Sequence, residues 1–537
     1  MILTMENNSS ETMLPHAALQ ARARERPAAE ALVFPHQDTR LDYGEWWRRS
    51  RALASGLIEL GIRPGDHVAL LSENRWEWPV AQMGIAAAGA VMVPLNTHYR
   101  LEDLRYALDF SDVRAILLSP AFRTSRYLEM VESLRPEMPV LEWVMPFEGA
   151  GGDPSSFATS TFNALIERGE GVSVPLPEVD PWSMGGLQFT SGTTGFPKGA
   201  MLTHAGMMAN ARGTVARLAL SDADRWSSII PLFHCAGCIM TILSTVQAGA
   251  AYVGVPNFTP VGMFEVIERE RCTAISGVPT SFLVMLEHGD RERYDLSTLR
   301  TGTCGGADAD PAVLARCVEA YPIPELVQVF GQTEASTLVT CASVDDPKRL
   351  ETSGTALEGF EVRITDPLSR LPLGVGEVGQ VEARGMMTML GYYKSPEATA
   401  EVLDADGWLR TGDLGRLDAE GRLIMAGGRL RDMIIRGGEN IYPVEIENHL
   451  REHPAISEIA VFGRPDRYYG EIVAAAVRLS EPVASADLIR FARQRIASFK
   501  APAKYFLIEE FPMTASGKIR KHELRALAGA GALVELN

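Results

Sequence analysis

Cysteine is scarce in this chain, with six residues among 537. These cysteines lack the paired spacing of a disulfide framework. Cys235 and Cys238 form a C-x-x-C beside His234, which leaves a metal or redox site open as an alternative to buried free thiols. No second pair lies at zinc-finger spacing, so the sequence favours free cysteines, which stand at positions 235, 238, 272, 304, 317 and 341.

Positive charge is also in short supply. The chain has 51 lysines and arginines against 68 aspartates and glutamates, which gives a formal net charge of -17. An acidic protein does not bind nucleic acid or an anionic membrane without specificity, so we expect no nucleic-acid partner. Any anionic ligand must be held by positive groups concentrated at one site.

Long apolar runs are absent. The longest mostly apolar stretch, from Gly84 to Leu95, suits a buried helix and strand and is too short to cross a bilayer. The first residues, MILTMENNSSETM, carry two glutamates and lack the basic-then-apolar pattern of a secretion signal. We therefore expect a cytoplasmic protein without a transmembrane segment.

The length and the alternation of elements predict several α/β units. A chain of 537 residues exceeds what one hydrophobic core usually supports. Helices and strands alternate between Leu14 and Leu118, including a strand at His67–Leu71 and a helix at Leu101–Phe110, which favours a parallel sheet covered by helices. A Gly-, Ser- and Pro-rich connection from Phe147 to Pro181 leads to a second α/β unit that extends to about Val344, with a strand predicted at Ser227–Pro231 and a helix begun by Asp310 and Pro311. Short apolar strands from Thr355 to Gly427 predict a β-rich subdomain, and a compact α/β unit follows.

The segment 188–200, QFTSGTTGFPKGA, is the strongest candidate binding site. Its glycines let several backbone N–H groups converge on one anion, its hydroxyl groups add neutral donors, and Lys198 adds a charge. It is not a Walker A loop, because Lys198 follows Pro197 instead of a glycine. A flexible linker is the alternative, but the proline stiffens the segment and apolar residues flank it. The segment therefore predicts a phosphate-binding loop.

Three further motifs have chemistry that suits a nucleotide. The sequence FGQTE at 330–334 follows an apolar strand, and Glu334 offers a carboxylate to Mg²⁺. Gly305 and Gly306 would let a flat ring lie against the backbone, although close packing explains them equally well. Asp413 follows a tight turn and could accept both hydroxyl groups of a ribose. Each residue also has an ordinary structural explanation, and only their combination indicates a nucleotide site.

Together these motifs resemble the acyl-CoA synthetases of the adenylate-forming superfamily. That superfamily includes fatty-acyl- and aryl-CoA ligases, firefly luciferase and the adenylation domains of peptide synthetases. The resemblance extends from about Leu14 to Leu527 and rests on six motifs in family order: FTSGTTGFPKGA, FGQTE, GYYKSPEATAE, GWLRTGDLG, GRLRDMIIRGGENIYPVEIE and PMTASGKIRK.

The resemblance implies an α/β fold with a large N-terminal domain and a small, mobile α/β C-terminal domain. The large domain is expected to contain two α/β sheet subdomains and a β-rich subdomain. The implied boundaries are an AMP-binding and acyl-binding domain at residues 1–428, a hinge at 429–431 and a C-terminal domain at 432–537. A homodimer stays open, because the sequence does not determine the oligomeric state.

The resemblance also implies a two-step reaction of a small-molecule carboxylic acid with ATP, Mg²⁺ and coenzyme A. The carboxylate attacks the α-phosphate of ATP, which gives an acyl-adenylate and pyrophosphate. The thiol of coenzyme A then attacks the mixed anhydride and releases AMP. Because both steps develop charge, positioning and electrostatics should dominate catalysis.

Individual roles follow from the same resemblance. Lys518 is expected to bridge the substrate carboxylate and the α-phosphate, Thr333 to contact the α-phosphate, and Glu334 to hold Mg²⁺. Arg431 falls at the hinge position, where the family usually has Asp or Lys, and Phe330 replaces a commoner tyrosine, which keeps stacking but loses a hydroxyl group. The nucleotide contacts are expected at Thr190, Ser191, Gly192, Thr193, Thr194, Lys198, Gly305, Gly306, Gln328, Val329, Phe330, Gly331, Asp413 and Arg429. The coenzyme A tunnel is expected at Gly437, Gly438 and Glu439.

The acyl pocket is expected at His234, Gly237, Gly277 and Val278, although His234 is equally well explained as a packing histidine. Small residues there leave room for an elongated or planar acyl group. They do not distinguish fatty acids from aryl, alicyclic or short functionalised acids; the motif RGGENIYPVEIE favours fatty acids. An enzyme that loads a carrier protein and a non-catalytic nucleotide-binding regulator are the remaining alternatives.

Overall fold

The protein is described by a computed structural model that covers residues 13–147, 160–172, 174–190, 197–306, 309–429, 432–436, 439–441, 443–467, 469–496, 498, 500–513 and 519–536. The chain forms two compact units. One comprises Met1–Val362 and Ala383–Leu409, and the other comprises Arg363–Glu382 and Arg410–Asn537. The predicted domain boundary at 428 and the hinge at 429–431 stay predictions, since residues 430 and 431 lie outside the described residues.

The first unit contains a six-stranded and a nine-stranded sheet. The six-stranded sheet has the order β6-β5-β3-β4-β7-β8, and the nine-stranded sheet has the order β15-β14-β13-β12-β11-β9-β10-β1-β2. Their strands are β1 (Glu30–Phe34), β2 (Thr39–Asp42), β3 (His67–Leu71), β4 (Val91–Pro94), β5 (Val113–Leu118), β6 (Trp143–Pro146), β7 (Met184–Thr190), β8 (Lys198–Thr203), β9 (Arg225–Ser228), β10 (Ala251–Gly254), β11 (Ala274–Gly277), β12 (Thr301–Cys304), β13 (Glu325–Gln332), β14 (Thr337–Cys341) and β15 (Thr355–Ala356).

Helices accompany both sheets along the chain. A π-helix at Ala236–Leu243 follows β9, a rare form that occurs mostly at functional sites. The α-helices of this unit are α1 (Pro15–Glu25), α2 (Tyr43–Glu59), α3 (Glu77–Ala87), α4 (Leu101–Phe110), α5 (Tyr127–Leu134), α6 (Phe162–Glu170), α7 (His204–Leu218), α8 (Ser244–Ala248), α9 (Pro260–Glu270), α10 (Pro279–Glu287), α11 (Pro311–Ala320) and α12 (Pro396–Val402).

The second unit contains most of a four-stranded sheet and a six-stranded sheet. The four-stranded sheet runs in chain order through β16 (Phe360–Thr365), β17 (Gly379–Gly385), β18 (Leu409–Leu417) and β19 (Leu423–Arg429). The other has the order β21-β20-β23-β24-β25, with β22 paired to β23. The strands of this sheet and the helices between them are, in chain order, β20 (Ile434–Arg436), β21 (Glu439–Ile441), α13 (Pro443–Leu450), β22 (Ile456–Asp466), β23 (Gly470–Leu479), α14 (Ser485–Arg493), β24 (Lys504–Leu507), α15 (Lys521–Gly529) and β25 (Val534–Glu535).

Local sequence accounts for several element boundaries. Strand β3 is buried at all five positions, as expected of a parallel strand covered on both faces. Asp310 and Pro311 begin α11 as predicted, because the Asp310 carboxylate accepts a hydrogen bond from the Ala312 N–H at 2.8 Å. The strand predicted at Ser227–Pro231 ends earlier, at Ser228, since the Ser228 hydroxyl accepts the Ile230 N–H at 3.1 Å and replaces a strand partner.

The described residues contain no helix that is both long and apolar enough to span a bilayer.

Candidate active site

Residues predicted to contact adenine and the acyl group lie at one edge of the nine-stranded sheet. Strands β9, β11, β12 and β13 are neighbours and run parallel. Their carboxyl ends therefore meet at the same edge, which is where ligands bind in open α/β sheets. His234 follows β9, Gly277 ends β11 and Val278 follows it, Gly305 and Gly306 follow β12, and Val329 to Gly331 lie near the end of β13, which extends to Gln332.

The predicted phosphate-binding loop lies between the two strands of a hairpin in the sequence. Thr190, the last residue of β7, is paired with Lys198, the first residue of β8. Both side chains are half-buried. The intervening Ser191, Gly192, Thr193 and Thr194 lie outside the described residues. The hairpin thus brings both ends of the loop together at one point.

An aromatic layer supports this loop. The Tyr106 hydroxyl donates a hydrogen bond to the Pro197 carbonyl at 3.0 Å. The Tyr106 ring stacks on Phe110 with 5.4 Å between centroids. Phe110 in turn packs near Phe189 and Tyr393, at 6.2 and 5.9 Å between centroids. Helix α4 therefore holds Pro197, next to the predicted loop, through the Tyr106 hydroxyl, a contact that the sequence motifs did not reveal.

Glu334 lies in a short 3₁₀ turn, Thr333–Ala335, between β13 and β14. The Tyr392 hydroxyl donates a hydrogen bond to Glu334 Oε1 at 2.7 Å. The Lys198 ammonium lies 5.1 Å from the centroid of the Tyr392 ring. Tyr392 thus connects the phosphate-loop lysine with the predicted metal ligand. Its only sequence signal was its position in the motif GYYKSPEATAE.

The donor chemistry at Glu334 fits Mg²⁺. This cation prefers carboxylate oxygen and is usually bound by one or two carboxylates together with phosphates. The Glu334 carboxylate is half-buried and held on one oxygen by Tyr392, so its orientation is fixed before a ligand arrives. Among the described residues, no group of three or more His, Cys, Asp or Glu side chains is placed to bind a metal ion without such a ligand.

Thr333 contacts the C-x-x-C segment. Its hydroxyl lies 3.6 Å from Cys235 Sγ, which lies 3.7 Å from His234 Nδ1. Burial by itself raises the pKa of the Cys235 thiol, but His234 and the hydrogen bonds from neighbouring hydroxyl groups bring the pKa below its usual value. Cys238 Sγ accepts a hydrogen bond from Gln188 Nε2 at 3.1 Å, and burial raises the pKa of Cys238 strongly. Both cysteines are free thiols.

The predicted adenine contacts form a fixed frame. The Gln328 side chain donates a hydrogen bond to the Leu350 carbonyl, and Phe330 is buried. A side chain at Gly305 would overlap Val329, so glycine is required by this close approach. Gly306 has a φ of +79°, in the region that favours glycine. Contact of this frame with adenine stays a prediction.

The glycines predicted for the acyl pocket are packed against protein. A Cβ at Gly237 would overlap the Pro231 carbonyl, and one at Gly277 would lie 2.8 Å from Ser281 Oγ. His234 is exposed, and its Nδ1 accepts the Ala236 N–H at 3.2 Å. Close packing therefore explains both glycines without an acyl group, and their contact with substrate stays a prediction.

The predicted ribose contacts lie in the second unit. Asp413 and Arg429 face each other as partners in the antiparallel pair of β18 and β19. The Asp413 N–H donates to Thr411 Oγ1 at 3.1 Å, and this hydroxyl donates to the Val381 carbonyl at 2.7 Å. The turn is therefore fixed on the β17 strand, as a ribose contact requires.

The structure describes none of the side chains of the remaining predicted residues. Lys518, Arg431, Gly437 and Gly438 lie outside the described residues. Glu439 is described only as a backbone position in β21. Their roles stay predictions.

Comparison with known families gives two matches. The model of the AMP-binding enzyme matches residues 19–393, and that of the AMP-binding enzyme C-terminal domain matches residues 445–518.

Curated relatives match over nearly the whole chain. The putative acyl-CoA synthetase YngI of Bacillus subtilis is 37% identical over 94% of this chain and 95% of its own. A CoA ligase for a methyl-dioxo-octahydroindenyl propanoyl group from Rhodococcus jostii is 35% identical, over 95% and 98% of the two chains. The mitochondrial medium-chain acyl-CoA ligase ACSF2 of Danio rerio is 32% identical, over 94% and 87%.

A solved structure shows the same architecture. The anthranilate CoA ligase AuaEII in complex with anthranoyl-AMP superposes with a TM-score of 0.85 at 26% identity, over 97% of this chain and 98% of that one.

Proposed function

Because the chain belongs to the AMP-binding enzyme family, as an acyl-CoA synthetase of the adenylate-forming superfamily, we propose that its substrate is a fatty acid. The similarity to these relatives and solved structures shows that the protein is an acyl-CoA ligase that acts through an acyl-adenylate. The fatty acid is the new element of the proposal. It is supported by the medium-chain ligases among the relatives.

The observation that carries the fatty-acid proposal is the chemistry around His234 and Val278. Residues 229–243 read IIPLFHCAGCIMTIL and residues 276–281 read SGVPTS. Neither segment contains a lysine, arginine, aspartate or glutamate. An acyl group that carried a second charge would be buried there without a counter-ion, at a cost of several kcal/mol. These walls therefore favour an uncharged aliphatic acyl group.

Adenylation depends on charges that are held in place before ATP arrives. Lys198 and the hydroxyl groups and N–H groups of the loop are proposed to bind the β- and γ-phosphates, with Thr333 on the α-phosphate. When bound at Glu334, Mg²⁺ would neutralise phosphate charge. Lys518 is proposed to bring a further positive charge to the carboxylate and the α-phosphate. Fixed donors of this kind stabilise the developing charge without reorganisation.

The second half-reaction is proposed to use the small domain. Arg431 is the proposed hinge, and Gly437, Gly438 and Glu439 are proposed to line the pantetheine tunnel of coenzyme A. Mobility of the domain that carries Lys518 suits a lysine needed in only one half-reaction.

An alicyclic acid is the second candidate. It is favoured by the 35% identical relative whose named acyl group contains a fused bicyclic ring. A ring system of this kind is also uncharged apart from its reacting carboxylate, so the absence of charged residues around His234 suits both candidates.

The experiment that separates these candidates measures AMP release with a panel of carboxylic acids. The panel contains saturated fatty acids of increasing length, an alicyclic propanoate, benzoate and a dicarboxylate, each assayed with and without coenzyme A. We expect the highest kcat/KM with a fatty acid and a CoA thioester as product. A preference for the dicarboxylate or for benzoate would contradict the proposed substrate.

A cytoplasmic location and a homodimer also remain proposals.

A further inference from the structure

Tyr392 stands between two opposite charges of the nucleotide site. Its hydroxyl donates to Glu334 Oε1 at 2.7 Å, while its ring centroid lies 5.1 Å from Lys198 Nζ. The ring is nearly buried, with 7% exposure. No ion pair joins Lys198 to Glu334 in the part of the chain that the structure describes. The Tyr392 side chain therefore contacts the Glu334 carboxylate through its hydroxyl and lies near the Lys198 ammonium through its ring.

The backbone around Tyr392 is fixed on both sides. The Tyr393 N–H donates to the Gly199 carbonyl at 2.8 Å, and the Met201 N–H donates to the Gly391 carbonyl at 3.0 Å. These bonds attach the segment to strand β8, which begins with Lys198. The Met389 N–H donates to the Glu334 carbonyl at 2.8 Å. One short segment thus joins the lysine strand to the glutamate turn.

The opposite charges of Lys198 and Glu334 would tend to pair if the two side chains came within reach of each other. Such a pair would place the ammonium on the carboxylate instead of on phosphate, and it would occupy oxygens that a cation needs. A tyrosine prevents this in two ways: a charge-assisted hydrogen bond holds the carboxylate, and the ring face attracts the ammonium.

We propose that Tyr392 is a positioning residue of the nucleotide site, which fixes the Glu334 carboxylate through its hydroxyl and the Lys198 ammonium through its ring. This keeps the two charges apart and oriented for Mg²⁺ and phosphate. The inference rests on the proposed nucleotide site and adds a residue that acts through Glu334 and Lys198 without touching substrate.

The two parts of the role can be separated by substitution. Tyr392→Phe removes the hydroxyl and retains the ring, whereas Tyr392→Leu removes both. The control is Tyr127→Phe, which removes a buried hydroxyl outside the site, one that donates to the Thr97 carbonyl at 2.6 Å.

The measurement is the thermal stabilisation of the intact protein by ATP, titrated with Mg²⁺ and repeated in EDTA. Tyr392→Phe should need about fivefold to tenfold more Mg²⁺ for half-maximal stabilisation, since hydrogen bonds to charged groups are among the stronger ones. Its response to ATP in EDTA should be unchanged. Tyr392→Leu should also bind ATP about threefold more weakly in EDTA, because the cation–π contact is lost. Tyr127→Phe should respond to ATP and Mg²⁺ as the unmodified protein does.

A double substitution distinguishes positioning from a general structural effect. With Glu334→Gln in place, Tyr392→Phe should change the Mg²⁺ requirement less than twofold, because the hydroxyl acts through that carboxylate. The inference is overturned if Tyr392→Phe matches Tyr127→Phe, if it weakens ATP binding equally with Mg²⁺ and in EDTA, or if it is additive with Glu334→Gln. By contrast, failure of the unmodified protein to bind ATP and release AMP would overturn the proposed function itself.

Discussion

Acid should destabilise the protein through His204, the first residue of helix α7. The side chain is 1% exposed, and neither ring nitrogen has a hydrogen-bond partner among the described residues. Burial, assisted by the nearby His16 and opposed by Asp180, lowers the pKa of His204 from 6.5 to about 4. A side chain at Gly185 would overlap the imidazole, so the ring is closely packed. The fold therefore holds this imidazole in its neutral form.

The direction of the effect follows from the two pKa values. The unfolded chain takes up the proton near pH 6.5, whereas the folded protein takes it up only near pH 4. Between these values the unfolded state binds more protons, and the free energy of unfolding falls as the pH falls. At pH 4.5 this one group lowers the free energy of unfolding by an amount on the order of 2 to 3 kcal/mol, and the effect disappears well above pH 6.5.

The assay is urea unfolding followed by circular dichroism at pH 7.5 and 4.5. His204→Leu removes the titrating group at similar volume. On acidification the free energy of unfolding of this variant should fall by about 2 kcal/mol less than that of the unmodified protein. His522→Leu is the control, because the His522 side chain is 75% exposed. If the free energy of unfolding falls equally between pH 7.5 and 4.5 in His204→Leu and in the unmodified protein, the reasoning is refuted.

Three substitutions test the proposed machinery. Lys518→Ala should slow adenylation by about 10²–10³, as expected on removal of a preorganised charge, while thioester formation from supplied acyl-AMP is spared; equal loss of both half-reactions would refute this role. Gly438→Leu should leave pyrophosphate release normal and abolish thioester formation, and unchanged coenzyme A ligation would count against the tunnel. Tyr106→Phe should raise the KM for ATP about threefold by removing one neutral hydrogen bond to the loop; an unaltered KM would show that Pro197 needs no such support.

Local patterns were sufficient to predict many elements. Helix α4 at Leu101–Phe110 and strand β3 at His67–Leu71 have the predicted bounds. Both have a clear apolar period and are bounded by turn residues, which is where sequence reasoning is strongest. The prediction that FGQTE follows a strand is wrong for its first three residues, because β13 extends through Gln332 and pairs with β14; only Thr333 and Glu334 follow the strand.

The contacts that shape the site were not predictable in the same way. Tyr392 and Glu334 are 58 residues apart, and Cys235 and Thr333 are 98 apart. Such contacts depend on the order of strands in the sheets, which a single sequence does not encode locally. The π-helix at Ala236–Leu243 was also missed, because an apolar run indicates burial but does not distinguish one helical hydrogen-bond pattern from another.

The central claim is that this chain couples ATP cleavage to formation of a CoA thioester with a fatty acid. The most direct test incubates the purified protein with ATP, Mg²⁺ and a medium-chain fatty acid, and it quantifies AMP and acyl-CoA with and without coenzyme A. When coenzyme A is present, we predict multiple turnovers with equal amounts of AMP and acyl-CoA. When it is absent, we predict at most one molecule of acyl-adenylate per protein molecule. Absence of acyl-CoA from the fatty acid, or AMP release that continues unchanged without coenzyme A, would contradict the claim.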